Sequence, residues 1–408
     1  MSEVVVIGGG AAGMMAAVAA SSLGHKVTLL EQNEKLGKKI YITGKGRCNF
    51  TNAASMDDMQ QAVVSNAKFL YSAFYAFPNE SVMDFFEQAG MPYKIERGNR
   101  VFPVSDHASD VIRVLERRMK DQGVCVRLRT GVKRLLIREQ EIFGVELRSG
   151  ESLLCPNVIL ATGGCSYPTT GSTGDGYAFA KQVGHRVLSR RPALVPLTVK
   201  EPYIAAMQGL SLKNINLSLY HGDDRIYEGF GEMMFTHIGV TGPVVLSASS
   251  YVSRFLPGEL KAVLDLKPAL SEDTLNERLL REFREHPNAR IKTLYQHLLP
   301  SKMIPIMIEL TKVAEDRVAN GITREERQKM IRGMKEFPFT ITDTRGFREA
   351  IITQGGIDVR EVDPSSMESK RIRGLYFAGE VMDLDALTGG FNLQIAWSTG
   401  YLAGISIR

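Results

Sequence analysis

Cysteine is scarce in this chain: four among 408 residues, Cys48, Cys125, Cys155 and Cys165, with no CxxC pair. That excludes a disulfide framework and a thiolate zinc site and suits a reducing compartment. No apolar run reaches the ~20 residues that a membrane-spanning helix needs. The opening MSEVVVIGGGAAGMMAAVAASSLG is apolar but lacks a basic leader, is broken by glycines and runs straight into a strand-like stretch. It is expected to be part of the fold, not a secretion signal, and the expected location is cytoplasmic, with no membrane partner. The formal net charge is +5, yet no run of five Lys/Arg occurs, so nucleic acid is not the expected partner. The excess charge suits an anionic cofactor or small-molecule substrate instead. His221, His286 and His297 are scattered on segments expected to be exposed and have no metal-ligand spacing, so no metal is expected. Ser-His-Asp, HExxH and Walker A patterns are all missing, which removes the common hydrolase and P-loop classes. Nothing in the sequence fixes an oligomeric state.

What is present is an α/β pattern long enough for two or three domains. Val4 to Ile7 is a β-branched run suited to a strand buried on both faces. Ala11 to Leu23 reads as a helix ended by Gly24, and Lys26 to Leu30 (KVTLL) as a second strand. Helices are expected at Asn66–Phe77, at 79–89 with Asn79 as N-cap, and at Ser109–Asp121. A β-meander pattern covers Val124 to Leu154, and another buried-type strand runs from Asn157 to Ala161. Short strands then alternate with Gly, Asp and Pro over 192–265, followed by charged helical sequence over 271–335. Strand patterns return at Phe339–Ile341 and Ala350–Ile352. The chain closes with GLYFA at 374–378 and an apolar helix, Gln394–Gly404. The economical division is a nucleotide-binding domain from 1–191 and 353–408, a β-rich insertion from 192–270 and 336–352, and a helical insertion nested at 271–335.

Gly8-Gly9-Gly10-Ala11-Ala12-Gly13 satisfies GxGxxG directly after a strand and opens a helix. Glu31 ends the next strand 18 residues after Gly13, with Gln32 beside it. In that context the motif is a dinucleotide-binding signal. Gly8 permits the tight turn, Gly10 lets a pyrophosphate approach the backbone, and Gly13 lets helix and strand pack closely. The helix N-terminus offers free N–H groups to the phosphates, and Glu31 accepts the two ribose hydroxyls. FAD is separated from NAD by two later stretches. They are NVILATGG at 157–164, containing Ala161, Thr162 and Gly163, and GLYFAGE at 374–380, containing Gly379 and Glu380. Both are expected in glutathione-reductase-like FAD proteins. Gly389-Gly390-Phe391-Asn392-Leu393-Gln394 then starts a helix whose N-terminus would stabilise an anionic reduced flavin.

Lys35 to Asn52 is dense in Gly and Lys, including Thr43 and Gly44; its backbone and Lys38, Lys39 or Arg47 are candidates to contact pyrophosphate or flavin. With GGGAAG at the start, TGKGRCNFTN at 43–52, ATGGCSYPTTGSTGDGYAFA at 161–180, GEMMFTHIGVTGP at 231–243 and AGEVMDLDALTGGFNLQIAWSTG at 378–400, the chain resembles the BaiN-like (YhiN-like) family of bacterial FAD proteins. One departure is Lys45, where the family more often has glycine. The resemblance implies a Rossmann-like, glutathione-reductase-like FAD domain with inserted domains and one FAD per chain. It also implies flavin contacts at Ala12, Glu31, Lys39, Arg47, Cys48, Asn49, Val132 (backbone to adenine), Thr162, Gly379, Glu380, Asp383, Asn392 and Leu393. A remoter likeness to fumarate reductases, through ATGG, Thr173–Gly176 and Thr353-Gln354-Gly355-Gly356, favours hydride transfer at flavin N5.

Candidate catalytic groups are His237, in an insertion expected to close over the flavin, and Tyr167, beside a Gly/Thr-rich loop. Arg47 is expected to lower the thiol pKa of Cys48, but no resolving cysteine stands nearby, so disulfide chemistry is not expected. The expected function is an FAD-dependent oxidoreductase: reduction of an activated C=C or C=X bond with NAD(P)H as transient reductant, or oxidation of a small amine. The competing expectation is a non-catalytic redox sensor or RNA-associated flavoprotein.

Overall fold

The first strand, β1 (Glu3–Ile7), is buried from Val4 onward, as its β-branched run requires. This computed structural model describes all 408 residues. Helix α1 (Ala11–Ser22) follows, then β2 (Lys26–Leu30). After the segment 31–107 come α2 (Ala108–Asp121) and β3 (Cys125–Arg127), which joins the edge beside β2. A three-stranded meander, β4 (Val132–Arg138), β5 (Glu141–Leu147) and β6 (Ser152–Leu154), precedes β7 (Asn157–Leu160).

The chain then builds a second compact unit, Leu194–Arg345, before returning to the first, Met1–Ala193 with Gly346–Arg408. The return comes at 346, where the strand pattern had suggested 353. This unit is a closed six-stranded antiparallel barrel. Its strands are β8 (Leu197–Val199), β9 (Ser211–His221), β10 (Asp224–Phe235), β11 (Gly239–Thr241), β12 (Leu260–Asp265) and β13 (Phe337–Thr344). Helix α3 (Pro243–Val252) lies between β11 and β12. Inward residues recur at period two, as in Leu217 and Leu219 of β9 or Phe337, Phe339 and Ile341 of β13, the pattern a filled small barrel needs. Between β12 and β13 come α4 (Glu272–Glu285), α5 (Ile291–Gln296), α6 (Ile304–Thr311) and α7 (Arg324–Lys335). A serine cap at Ser271 and a capping box at Thr323/Glu326 fix the starts of α4 and α7. Leu275, Leu279, Leu294 and Met334 share one apolar core with the barrel strands, so the helical segment is built onto the barrel.

Back in the first unit, β14 (Leu375–Phe377) and α8 (Phe391–Ile405) complete the domain. The sheet runs β14-β7-β1-β2-β3, every pair parallel. All strands therefore end on the same side, where open α/β sheets bind ligands. α8 lies against α1 through glycine. A Cβ on Gly400 would run into the carbonyl of Ala12, and one on Gly404 would stand 2.6 Å from the carbonyl oxygen of Ala16. Small residues set this close helix spacing. The Trp397 indole N–H donates to the Phe50 carbonyl (2.8 Å), and Gln394 and Ser398 both donate to that of Phe77 (3.0 and 2.7 Å). Asn79, expected as an N-cap, is the first helical residue instead; its amide donates to the carbonyls of Asn52 (2.7 Å) and Ala54 (2.9 Å).

His185 is buried with Nδ1 3.1 Å from Glu361 and Nε2 2.7 Å from the Ser369 hydroxyl. The row resembles a catalytic triad, but Ser369 Oγ already accepts the N–H groups of Arg371 and Ile372 (3.0 and 2.9 Å) and is closed to solvent. It is a clamp. Burial lowers the imidazole pKa below its ordinary 6.5, outweighing Glu361. The unfolded chain thus binds the extra proton first as pH falls. This contribution to stability is complete above pH 6.5 and is lost as pH drops through the window below it. Urea midpoints of the wild type should fall between pH 7.5 and 5.5, and His185→Gln should flatten that slope.

Candidate active site

The GxGxxG turn is shaped by its glycines. Gly8, at φ 110°, donates to the Leu30 carbonyl (2.8 Å), and its Cα faces the backbone of Ala161. A Cβ on Gly13 would overlap the carbonyl of Gly8, whereas one on Gly10 would meet nothing within 4 Å. Gly10 is the N-cap of α1, and no side chain caps it. The first-turn amides of Ala11, Ala12 and Gly13 therefore have no partner within the helix, and the space beside Gly10 is open. That is a cradle for a phosphate.

Glu31 is buried and held by three N–H donors: Gly9 on Oε2 (2.8 Å), and the backbone (2.8 Å) and side-chain amide (2.7 Å) of Asn33 on Oε1. A carboxylate has about four acceptor positions, so about one is left for a ribose hydroxyl where two had been expected. Gln32 donates to the Gly171 carbonyl (2.9 Å) and Asn33 to that of Thr170 (3.1 Å). Gln32 thus grips the 167–171 loop. Lys38 is spent on Asn33 and Glu34. The Glu31 carbonyl accepts the Thr130 N–H (2.8 Å), and buried Val132 follows at the start of β4.

Three further segments converge on the same strand ends. Ala161 donates to Ile7 (2.9 Å) and Ala378 to Leu160 (3.1 Å). The Thr162 hydroxyl is buried without a hydrogen-bond partner, next to Gly163 at φ 72°. Gly379, at φ 74°, donates to the Thr399 hydroxyl (2.9 Å), and a Cβ there would press on Ala12. Glu380 is the hub of a network. Its Oε2 lies 2.6 Å from the Lys39 ammonium; its Oε1 accepts the Thr353 N–H (2.8 Å) and the Ser166 hydroxyl (2.9 Å). Lys39 also donates to Ser166 (2.6 Å), and Thr353 Oγ1 accepts the N–H groups of Cys165 (2.7 Å) and Ser166 (3.1 Å). Ser166 and Thr353 were not singled out as site residues; their only signal was their place inside CSYP and TQGG.

The start of α8 repeats the logic of α1. Gly390, at φ 99°, is an N-cap without a side-chain cap, packed on the Thr51 carbonyl. The amides of Phe391, Asn392 and Leu393 are free of intrahelical partners. Asn392 spends its side chain on both backbone groups of Ala386 (2.7 and 3.0 Å), leaving its N–H as the group on offer. Asp383 is half-buried; burial pushes its carboxyl up while the Asn66 amide holds it at 2.8 Å. Asn49 accepts the Val101 N–H (3.1 Å).

In the 35–52 loop one residue is already engaged by protein partners and one expectation fails. The Arg47 guanidinium pairs with Glu96 and Asp106 and lies 4.2 Å over the Phe102 ring, so its charge is already matched. The Cys48 thiol is not lowered by Arg47; burial pushes it up to about 12. Thr43 donates to Ile40 (2.7 Å) and its carbonyl accepts the Cys48 N–H (3.1 Å). Gly44, Lys45 and Gly46 are all left-handed, with φ 56°, 59° and 85°, which is why glycine suits position 45.

Tyr167 also holds a left-handed conformation, at φ 49°, with its carbonyl accepting the Thr170 N–H (2.8 Å). Such backbone costs of order 1–3 kcal/mol and persists where its surroundings fix it. The phenol is half-buried, and burial, with Glu349, pushes its pKa up, so it keeps its proton. His237 is exposed on the β10–β11 turn of the barrel unit.

The residues fit an FAD: an open glycine cradle, a held carboxylate, an unpartnered buried hydroxyl and a second uncapped helix N-terminus. Gly8 to Gly13, Glu31 and Thr162 would hold its adenosine diphosphate half, and Lys39, Glu380 and the 390–393 amides its flavin half.

A family model described as "HI0933-like protein Rossmann domain" matches residues 2–406. The chain is 34% identical to the 3-dehydro-bile acid delta(4,6)-reductase of Clostridium scindens, over 99% of this chain and 98% of that protein. It is 32% identical to the ribosomal RNA dihydrouridine synthase of Haemophilus influenzae, over 100% and 98%. Among solved structures, the 3-ketosteroid delta1-dehydrogenase of Sterolibacterium denitrificans superposes with a TM-score of 0.54 at 13% identity, over 99% of both chains; that likeness shows the fold. On sequence and fold together, the chain belongs to the HI0933-like family, the BaiN/YhiN-like flavoproteins that its motifs resemble.

Proposed function

We propose that the protein is an FAD-dependent oxidoreductase that reduces a C=C bond conjugated to a carbonyl, with NAD(P)H as the electron source. The observation that carries this is the convergence of four parallel strand ends and the uncapped start of α8 on one side of the first unit. The names of the two relatives point to the same chemistry. A delta(4,6)-reductase acts on a ring double bond, and a dihydrouridine synthase adds two hydrogens across a uracil double bond conjugated to a carbonyl.

Bound FAD would supply the hydride. The chain's own residues do the rest. The α8 N-terminal amides stabilise negative charge on the cofactor. Lys39, Ser166 and Thr353 hold Glu380 in one orientation. Tyr167, protonated at neutral pH, donates the proton to the substrate carbon, and His237 is the second candidate donor.

The test is an anaerobic absorbance titration of the holoprotein with NADH and NADPH, then reoxidation by a cyclic dienone or by uridine-containing rRNA. The expected result is bleaching by one nucleotide and recovery with one acceptor. Tyr167→Phe should slow recovery at least tenfold with bleaching unchanged; if His237→Asn does so instead, the roles are exchanged. A flavin that neither nucleotide bleaches sinks the reductase reading. At 34% and 32% identity the bile acid reductase and the rRNA-modifying protein carry about equal weight, so both acceptors are tried side by side; salt-sensitive RNA retention without turnover would support the non-catalytic reading.

A further inference from the structure

Helices α4 and α5 bring together three groups that the proposed redox chemistry does not use. Glu282 and His286 are one helical turn apart at the end of α4, and His297 follows α5 directly. The linear spacing of the two histidines matches no metal motif. The fold places them side by side: the imidazoles meet edge to face at 5.0 Å, and His297 Nδ1 lies 2.9 Å from Glu282 Oε2. One ligand atom from each residue falls within 4.8 Å of the others.

We propose that Glu282, His286 and His297 form a zinc-class transition-metal site that staples α4 to α5. Two imidazoles and one carboxylate are a ligand set of that class, whereas Mg²⁺ and Ca²⁺ prefer all-oxygen shells. With bonds of about 2.0–2.2 Å, a tetrahedral ion holds its ligand atoms roughly 3.3–3.5 Å apart. Closing from 4.8 Å asks for about 1 Å of side-chain motion. His286 and His297 are exposed and Glu282 is half-buried, so solvent reaches all three. The scaffold beneath is fixed. Leu279 and Phe283 of α4 and Leu294 and Tyr295 of α5 are core residues. The His286 N–H donates to the Glu282 carbonyl (2.9 Å) and the Ala289 N–H to the His286 carbonyl (3.0 Å). Glu282 has no cationic partner other than His297 among the ion pairs, so a metal would displace no lysine or arginine. Three protein ligands leave a fourth position for water.

The experiment uses the untagged, FAD-loaded full chain after treatment with EDTA. Calorimetric titration with ZnCl₂ should give one site per chain, and Zn²⁺ should raise the unfolding midpoint by about 3 °C or more. His286→Ala and Glu282→Gln should each weaken binding at least tenfold and abolish the rise in midpoint. Their unfolding in EDTA and their flavin spectra should match the wild type, which shows that both variants fold. Absence of a one-to-one site in the wild type overturns the proposal. So does a site that both variants retain at wild-type affinity, because the metal then sits elsewhere.

Discussion

Replacing Gly13 by valine should yield a chain that no longer retains FAD. Gly13 lies where α1 crosses the end of β1, and its Cα is pressed against the carbonyl of Gly8. A side chain there drives the helix N-terminus away from the turn that aims its amides. Flavin per protein should fall to background, and affinity measured by flavin fluorescence quenching should drop at least ~100-fold, since phosphate seating depends on those amides. Gly10→Val supplies the control. The backbone there, φ −85°, suits any residue, and nothing protein lies within 4 Å. The valine should leave the unfolding midpoint of the FAD-free chain unchanged yet still abolish FAD binding. If Gly10→Val holds FAD like the wild type, the pyrophosphate does not sit at this turn.

Glu380→Ala should be the most damaging single change in the proposed flavin half. It leaves the Lys39 ammonium, the Ser166 hydroxyl and the Thr353 N–H without their common acceptor. Removing one partner of a fully buried pair costs about 3–5 kcal/mol. Here the two side chains are 22% and 20% exposed, so water recovers part of that and roughly 2–3 kcal/mol remains. Urea midpoints should show it. Lys39→Met in the Glu380→Ala background removes the stranded charge and should recover about half, so the double-mutant cycle should be strongly non-additive. A Glu380→Ala chain within 0.5 kcal/mol of the wild type, a surface-like value, would falsify the hub role.

The nucleotide half of this site was legible because its signals are local. A β-branched run, a glycine turn, a small-residue helix and an acid at the end of the next strand all lie within 31 residues, and each has a backbone reason for being where it is. The flavin half is different. Lys39 and Glu380 are 341 positions apart and Ser166 and Thr353 187 apart; no periodicity reports such pairing. Ser166 sat unmarked beside Tyr167, which drew attention as a proton donor. Arg47 was expected to serve an anion, but Glu96 and Asp106 claim it once the 93–106 hairpin folds over the loop. Cys48 looked reactive beside an arginine, and complete burial decides otherwise. Asn79 has the right residue type for a cap, but two carbonyls 25 and 27 residues upstream take its amide. Long-range competition for polar groups separates the two halves.

The glycine seam between α1 and α8 bears on the order in which the protein is made. Gly400 and Gly404 pack on the carbonyls of Ala12 and Ala16, and the sheet gains its last parallel strand only at Leu375–Phe377. A nascent chain that has finished its glycine turn still lacks that strand and the complete covering helix, Phe391–Ile405, until about 390 further residues have been translated. Its apolar first helix must meanwhile stay bare or be sheltered by a chaperone. Cofactor capture is thus a late event in biosynthesis, and ribosome-bound fragments that stop short of α8 should emerge colourless.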